Sequence, residues 1–146
     1  MPGRRTRVFE IATLRFNFGR VTFTPPLVYW LTLCTTAPTD TVEGTAVVDS
    51  PLRLGKRKSI PNSAGSWTVP DPLVRGETRN VWRITYQTAK QDVTGIGWGE
   101  LWDARTGGQR RYWGTFINAT GAAVRFDVPM GTRLRITAQG IVSRED

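Results

Sequence analysis

The chain has 146 residues, the length of one ordinary domain, and its 20 basic and 12 acidic residues give a formal net charge of +8. It contains no histidine and a single cysteine, which excludes an imidazole base, a histidine-ligated zinc site and an intrachain disulfide. No stretch approaches the roughly 18 apolar residues of a membrane helix, and no apolar run follows the charged start, so we expect neither a membrane span nor a signal peptide. We therefore expect the chain to be made and kept in a cytosol-like compartment.

The first seven residues predict a flexible basic arm. They hold three of the 17 arginines of the chain, Arg4, Arg5 and Arg7, and no apolar face that folding could bury. Such an arm favours an acidic partner, either nucleic acid or an acidic protein surface, because the planar guanidinium binds phosphates and carboxylates in a fixed geometry. We therefore predict that residues 1–7 lie along a neighbouring subunit, and that their deletion leaves the melting temperature of the remaining domain nearly unchanged.

Residues 8–19 fit two alternatives. Ile11, Leu14 and Phe18 share one face of a helix, whereas every second residue from 12 to 18 is apolar, as in a strand. The segment at 27–36 is a dense run of apolar, aromatic and β-branched residues and predicts a buried strand. Its cysteine has apolar neighbours, so we interpret it as a small core residue rather than a nucleophile.

The rest of the chain predicts β-structure. Runs of strand-forming residues alternate with Gly, Pro, Asn and Asp at residues 43–50, 52–60, 66–69, 80–88, 93–103, 110–118, 123–128 and 132–142. This spacing indicates an all-β fold, an antiparallel β-sandwich of jelly-roll type, preceded by a short N-terminal helix or arm. We assign residues 8–146 to this single domain and interpret the Pro-, Gly- and Ser-rich part at 51–80 as surface loops.

The segment GELWDARTGGQRRYWG, residues 99–114, is the clearest hairpin of the sequence. Asp103 can accept hydrogen bonds from backbone amides two residues on, and Gly107 and Gly108 can adopt the positive φ that a tight turn needs. Glu100 and Asp103 are the nearest approach to a carboxylate pair, but three residues apart on a strand they point to opposite faces. We therefore interpret the segment as a chain reversal and predict no catalytic residue, no metal ligand and no cofactor.

The six tryptophans raise the question of binding, because aromatic residues between arginines can stack bases or sugars. We favour the simpler interpretation that Trp30, Trp82, Trp98 and Trp102 fill the core of the sandwich. Trp67, next to a loop of Gly and Ser, is the best candidate for an aromatic residue at a partner interface.

Several motifs in order give the chain a resemblance to a known family. They are the run FTPPLVYWLTLCTTAPTD at 23–40, GTAV at 44–47, Asn80 before the strand VWRITY, the hairpin residues Asp103, Ala104, Gly107 and Gly108 followed by Trp113 and Gly114, and VPMGTRLRI at 128–136. Together they span most of residues 20–140. In these motifs the chain resembles the small virion proteins of tailed bacteriophages that form tail fibres, head fibres or capsid decorations.

The resemblance implies a structural, non-enzymatic virion protein with a β-sandwich fold, assembled in the host cytoplasm, and it favours helix over strand for residues 8–19. It implies a capsid decoration or head-fibre protein that docks on the capsid and stabilises it, with a tail fibre or baseplate component as the alternative. The expected partners are the major capsid protein and further copies of the chain, with a trimer favoured.

The candidate partner-binding residues are Arg4, Arg5, Arg7 and Trp67. A nucleic-acid or glycan binding module is the alternative from a different class of protein, because of the Arg and Trp content. Direct contact with nucleic acid is not expected for a virion protein that docks on other subunits, and no cofactor is expected.

Overall fold

A computed structural model describes residues 2–6, 11, 26–47, 57–63, 65–67, 78–81, 83–118, 120, 122–136 and 142–143 of the chain. These residues form eleven β-strands. In chain order they are β1 (Pro2–Arg5), β2 (Val28–Cys34), β3 (Lys58–Pro61), β4 (Thr78–Arg79), β5 (Ile84–Thr88), β6 (Val93–Ile96), β7 (Trp98–Trp102), β8 (Arg110–Thr115), β9 (Phe126–Val128), β10 (Arg133–Ile136) and β11 (Val142–Ser143). The predicted all-β class is confirmed.

Seven of the strands form one large sheet, in the order β3-β2-β7-β8-β1-β11-β4, and the other four form two ribbons, β5 with β10 and β6 with β9. Every pairing is antiparallel except that of β1 with β11, which run parallel. The ribbons pack against one face of the large sheet, as a sandwich requires. The jelly-roll form of the sandwich stays a prediction. No helix in the described part of the chain is long and apolar enough to cross a membrane.

The core lies between the large sheet and the ribbons. In β2 the alternation of side chains puts Tyr29, Leu31 and Leu33 on one face, and Leu101 of β7 lies opposite Leu31 in the sheet. The ribbons supply further buried members of the same cluster, namely Ile84, Tyr86, Ile96, Val128 and Ile136. Each buried aliphatic side chain contributes about 1.5–3 kcal/mol relative to an exposed one, so this cluster is the main source of stability.

The other face of the large sheet carries tryptophans. Trp30 pairs with Trp102 across β2 and β7, and Trp98 pairs with Cys34. None of these three tryptophans belongs to the core cluster, because each alternates with core residues along its strand and points the opposite way. The prediction that they fill the core is wrong for Trp30 and Trp98, which are half-buried, whereas Trp102 is buried as predicted but on this opposite face. Trp82, which was predicted with them, lies outside the described residues.

Cys34 is fully buried at the end of β2, as predicted. Burial raises the pKa of its thiol far above the usual value, and the neighbouring Glu100 carboxylate raises it further. Because alkylation needs the thiolate, we expect iodoacetamide at pH 8 to modify Cys34 much more slowly in the native protein than in concentrated urea. Mass spectrometry of timed samples measures the two rates, and equal rates would contradict the burial of β2.

The predicted flexible arm is wrong for its first part. Pro2–Arg5 is β1, an inner strand of the large sheet that pairs with β8 on one side and β11 on the other. A strand needs no apolar face of its own when two neighbours bond to its backbone, which composition alone does not reveal. Arg7 lies outside the described residues, and so do residues 8–19 apart from Ile11, which has helical backbone conformation.

Two predicted strands are divided between sheets. The segment predicted at 93–103 forms β6 in a ribbon and β7 in the large sheet. Gly95 has a φ of +74°, which lets the chain bend out of the ribbon, and the amide of Gly97 already donates to the Cys34 carbonyl at 3.1 Å. The segment predicted at 132–142 likewise contributes β10 to a ribbon and β11 to the large sheet.

Candidate functional site

The predicted chain reversal is the turn that connects β7 and β8. The amide of Asp103 donates to the Gln109 carbonyl at 3.1 Å, and the Asp103 Oδ1 accepts the Gln109 amide at 2.7 Å. Gly107 and Gly108 have φ of +61° and +73°. The predicted turn is confirmed, with the difference that the Asp103 side chain accepts an amide six residues on instead of two.

The two turn glycines allow a matched pair of substitutions. Positive φ costs alanine about 1 kcal/mol at either position. An added Cβ would meet open space at Gly107, whereas at Gly108 it would lie against the Asp103 carboxylate and 2.6 Å from the Ala104 Cβ. We expect Gly107→Ala to lower the free energy of unfolding by about 1 kcal/mol, and Gly108→Ala by about 2 kcal/mol because of the added crowding. Urea denaturation measures both losses, and equal values would contradict this turn geometry.

Arg57 holds the turn from outside. It donates to the carbonyl oxygens of Ala104, at 2.7 Å, and Gly107, at 2.5 Å. Its guanidinium carbon also lies 3.8 Å from the ring centre of Trp102, a cation–π contact. Partial burial lowers the pKa of Arg57, but an arginine stays charged at neutral pH. The residue before β3 thereby ties the turn to the tryptophan face.

The two carboxylates of the hairpin each bind a different arginine. Arg111 donates to the Asp103 Oδ2 from Nε at 2.9 Å and from a terminal nitrogen at 2.7 Å, in a pair that is half-buried. Arg110 donates to Glu100 at 2.7 Å, and the two side chains of this pair are only 6% and 2% exposed. The β7–β8 ladder shifts register at this end, as it does at a β-bulge. Two consecutive arginines therefore neutralise two carboxylates at different depths.

The buried Glu100–Arg110 ion pair also fixes the loop that follows β2. Arg110 donates to the carbonyl oxygens of Thr39, at 2.5 Å, and Val42, at 2.9 Å. The Glu100 oxygen that binds Arg110 also accepts the amide of Gly44 at 2.8 Å. Buried charges are stable only when such partners replace their hydration. The ion pair therefore connects the β7–β8 hairpin to this loop through hydrogen bonds.

The two carboxylates of the hairpin bind groups of the same chain. The carboxylate oxygens of Glu100 and Asp103 accept hydrogen bonds from arginines, backbone amides and, at Glu100 Oε2, the indole N–H of Trp102. Within the described ranges, no group of three or more His, Cys, Asp or Glu side chains could hold a metal ion. The hairpin turn and the loop after β2 are thus held in place by hydrogen bonds and ion pairs within the chain.

Two of the predicted partner-binding residues, Arg4 and Arg5, lie in β1. In the register of the sheet they are opposite Trp113 and Tyr112 of β8. Arg7, the third arginine of the predicted arm, lies outside the described residues. The first two are therefore placed inside the large sheet, and their role in binding a partner stays a prediction.

Trp67, the fourth predicted residue, is half-buried. It forms an isolated bridge with Asn80, and its ring packs edge-on against Tyr29 with the ring centres 6.3 Å apart. Tyr29 in turn contacts Tyr112 at 5.9 Å, so a row of aromatic rings runs from Trp67 to the position opposite Arg5. The indole N–H of Trp67 is buried with no hydrogen-bond partner in the described part of the chain. Its role at an interface also stays a prediction.

The roles of Arg57 and Arg110 were not predicted from the sequence. A signal for Arg110 was present, because hairpin strands bring diagonal neighbours within reach of long side chains, and Arg110 lies opposite Trp102, the second residue after Glu100. The contact of Arg57 with Ala104 spans 47 residues, and no local pattern announces it.

The chain is similar to a family of phage proteins. The family model for podophage GP4 fiber I protein gp80 matches residues 6–142, more than nine-tenths of the chain. The matched range begins at Thr6, directly after β1, and includes the hairpin, both ion pairs and the loop after β2. No curated protein matches the chain.

Proposed function

Because the chain belongs to the podophage GP4 fiber I protein family, gp80, and is thereby a fibre protein of a tailed-phage virion, we propose that it works as a non-enzymatic building block that binds its neighbours. The observation that carries this proposal is the family match over residues 6–142, which leaves little of the chain for a separate activity. Its mechanism is binding energy alone, supplied by contacts repeated in every copy.

The use of charged groups within the fold supports binding rather than catalysis. Glu100 and Asp103 are each neutralised by an arginine. Arg57 and Arg125 lie over tryptophan rings of the same chain, at 3.8 Å and 4.8 Å from the ring centres. Side chains engaged in this way contribute to a rigid surface, and we therefore do not propose a nucleic-acid or glycan binding module.

The proposal also covers the place where the chain attaches to the particle. A head fibre or decoration would dock on the major capsid protein and stabilise the shell by binding only its assembled state. The description of the family as a fibre supports a projecting fibre over a protein that covers the shell. We propose a projecting fibre built from several copies of the chain, with a trimer as the expected unit. Its base lies on the capsid or, in the alternative, on the tail or baseplate.

Electron microscopy of purified particles labelled with a gold-conjugated antibody against the chain tests this proposal. We expect label on projecting fibres, and its position separates the capsid from the tail. Uniform label over the capsomers would favour a decoration protein. Particles that carry no label and contain none of the chain by mass spectrometry would contradict the proposal. A phage with the coding sequence interrupted serves as the control for antibody specificity.

A further inference from the structure

We propose that the outer edge of β3 is a docking site for an extended acidic segment of a neighbouring protein in the virion. The segment adds a strand to the large sheet and places a carboxylate beside Lys58 and Arg83. This inference rests on the proposed function, since it names the chemistry of one of the neighbours that the chain binds. β3 is the first strand of the large sheet, and residues of β3 and of β5 line a cavity of about 230 Å³.

The outer edge of β3 offers main-chain groups that no other described strand uses. The amide of Asn62 donates to the Leu27 carbonyl at 2.9 Å, so the pairing of β2 with β3 starts from a hydrogen-bonded pair. Because bonded and non-bonded pairs alternate in antiparallel strands, Ser59 and Pro61 direct their main-chain groups away from β2. In the part of the chain that the structure describes, no strand pairs with β3 on that side.

The residue types along this edge agree with its orientation. Pro61 has no amide hydrogen, and a strand holds proline where the sheet does not need that donor. Ser59 is exposed and directs both an N–H and a C=O outward. An unpaired edge of this kind binds an extended peptide through main-chain hydrogen bonds, while a pocket beside the edge selects its side chains.

Two cations without carboxylate partners line the cavity. Lys58 is half-buried, with its Nζ 5.8 Å from the ring centre of Tyr86, and Arg83 is exposed. Among the described residues neither cation forms an ion pair, in contrast to the two paired arginines of the hairpin. The residues that line the cavity include no Asp or Glu. In a chain of net charge +8, such a site favours an anionic group.

The size and walls of the cavity fit one side chain better than a larger ligand. Sites for drug-sized molecules measure roughly 300–1,000 Å³, and this cavity is smaller. Ile60 and Ile84 are buried and give it apolar walls, which suit the methylene groups of a glutamate. Ser66 and Asn80 add polar groups and are only 7% and 1% exposed. The Ser66 carbonyl accepts the amide of Val81 at 2.8 Å, which fixes this wall in place.

The register of a docked strand places its carboxylate. A residue opposite Ser59 would exchange two main-chain hydrogen bonds with it. The next residue of the docked strand would then lie opposite Lys58, on the face of the sheet that Lys58 shares with Ile60. That side chain is the one that reaches the cavity. The segment that fits therefore has an acidic residue directly beside a residue with a free N–H and C=O.

A peptide titration of the isotope-labelled chain, followed by nuclear magnetic resonance, tests the site. The probe is Thr-Val-Thr-Glu-Thr-Val, acetylated and amidated at its ends so that the glutamate is its only charge. We expect it to shift the amide resonances of β3 in proportion to occupancy. Two control peptides should bind about fivefold more weakly or less, since each loses one kind of contact. One carries Gln in place of Glu, and the other is methylated on the amide nitrogens of the two flanking threonines.

Variants of the chain separate the strand edge from the cations. Ser59→Pro removes the outward N–H and leaves the hydrogen bonds between β2 and β3 in place. Lys58→Gln with Arg83→Gln removes both cations of the cavity. Lys90→Gln with Arg105→Gln removes two exposed charges outside the cavity and is the matched control. We expect the first two variants to lose binding of the probe and the control to keep it.

A probe that leaves the resonances of β3 unchanged would overturn the docking site. Equal binding of the methylated peptide would overturn the added strand, and equal binding of the Gln peptide would overturn the selection of a carboxylate. If a variant fails to fold, the wild-type chain with the three peptides decides the matter. The titration uses the isolated chain, so its failure contradicts only this docking site. Purified virions that lack the chain would instead contradict the proposed function.

Discussion

The Glu100→Ala variant is expected to lose about 3–5 kcal/mol of unfolding free energy, the cost of leaving a buried charge without its partner. Arg110 is 7% exposed and would keep its charge in a site from which water is excluded. The amide of Gly44 and the indole N–H of Trp102 would lose their acceptor at the same time. Small domains have only about 5–15 kcal/mol in total, so the loss is a large fraction of the stability. Urea denaturation with tryptophan fluorescence measures it.

Two further variants separate the missing charge from a general weakness of the hairpin. Replacing both members of the pair, Glu100→Leu with Arg110→Met, removes the charges together and should restore part of the lost stability, since apolar residues can replace a buried ion pair. The recovery is partial because the backbone groups of Thr39, Val42 and Gly44 lose their partners in this variant too. Asp103→Asn weakens the half-buried pair with Arg111 and should cost about 1 kcal/mol. A loss for Glu100→Ala no larger than that for Asp103→Asn would show that the pair is not buried as described.

Deletion of residues 1–6 is expected to destabilise the isolated protein strongly. The two hydrogen bonds of Thr6 alone amount to about 2 kcal/mol, and the main-chain bonds of β1 to β8 and β11 add to that. This reverses the expectation from the sequence, in which the segment is a solvated arm whose loss leaves the melting temperature nearly unchanged. Differential scanning calorimetry measures the shift.

Substitution of arginine charge is the matched control for that deletion. Arg4→Gln with Arg5→Gln removes two charges of the segment and leaves every backbone donor and acceptor of β1 in place. We expect this variant to melt well above the truncated chain, because every main-chain bond of β1 to β8 and β11 remains. If the truncated chain melts at the wild-type temperature, β1 is not part of the sheet. If the charge variant melts as low as the truncated chain, the arginines and not the backbone hold the segment.

The local elements of the fold could be predicted because their signals are local. Strand β2 is predicted by its own apolar run, and the turn by Asp103, Gly107 and Gly108. Each pattern lies within about ten residues, because strand propensity and turn chemistry are local properties. The burial of Cys34 followed from its apolar neighbours. The resemblance to phage fibre proteins could also be found from the sequence, since it consists of short motifs in a fixed order.

What could not be predicted depends on contacts between distant segments. Pro2–Arg5 has a composition typical of a disordered arm, and its place in the sheet follows only from two strands that come more than 100 residues later. The tryptophans of β2 and β7 share one face of the sheet because side chains alternate along each strand, and the core residues share the other face for the same reason. Alternation alone does not show which of the two faces is the core. The Arg57 contacts join segments that no periodicity connects.

Cryo-electron microscopy of two particle preparations tests whether this protein is a fibre subunit of the virion. One comes from a phage with this coding sequence interrupted, and the other from the same phage complemented with the wild-type chain. We expect projecting fibre density in the complemented particles only, with a volume at each fibre that fits the large sheet and its two ribbons. Particles with identical fibres in both preparations, and without the chain in either, would contradict the assignment of this protein as a fibre subunit.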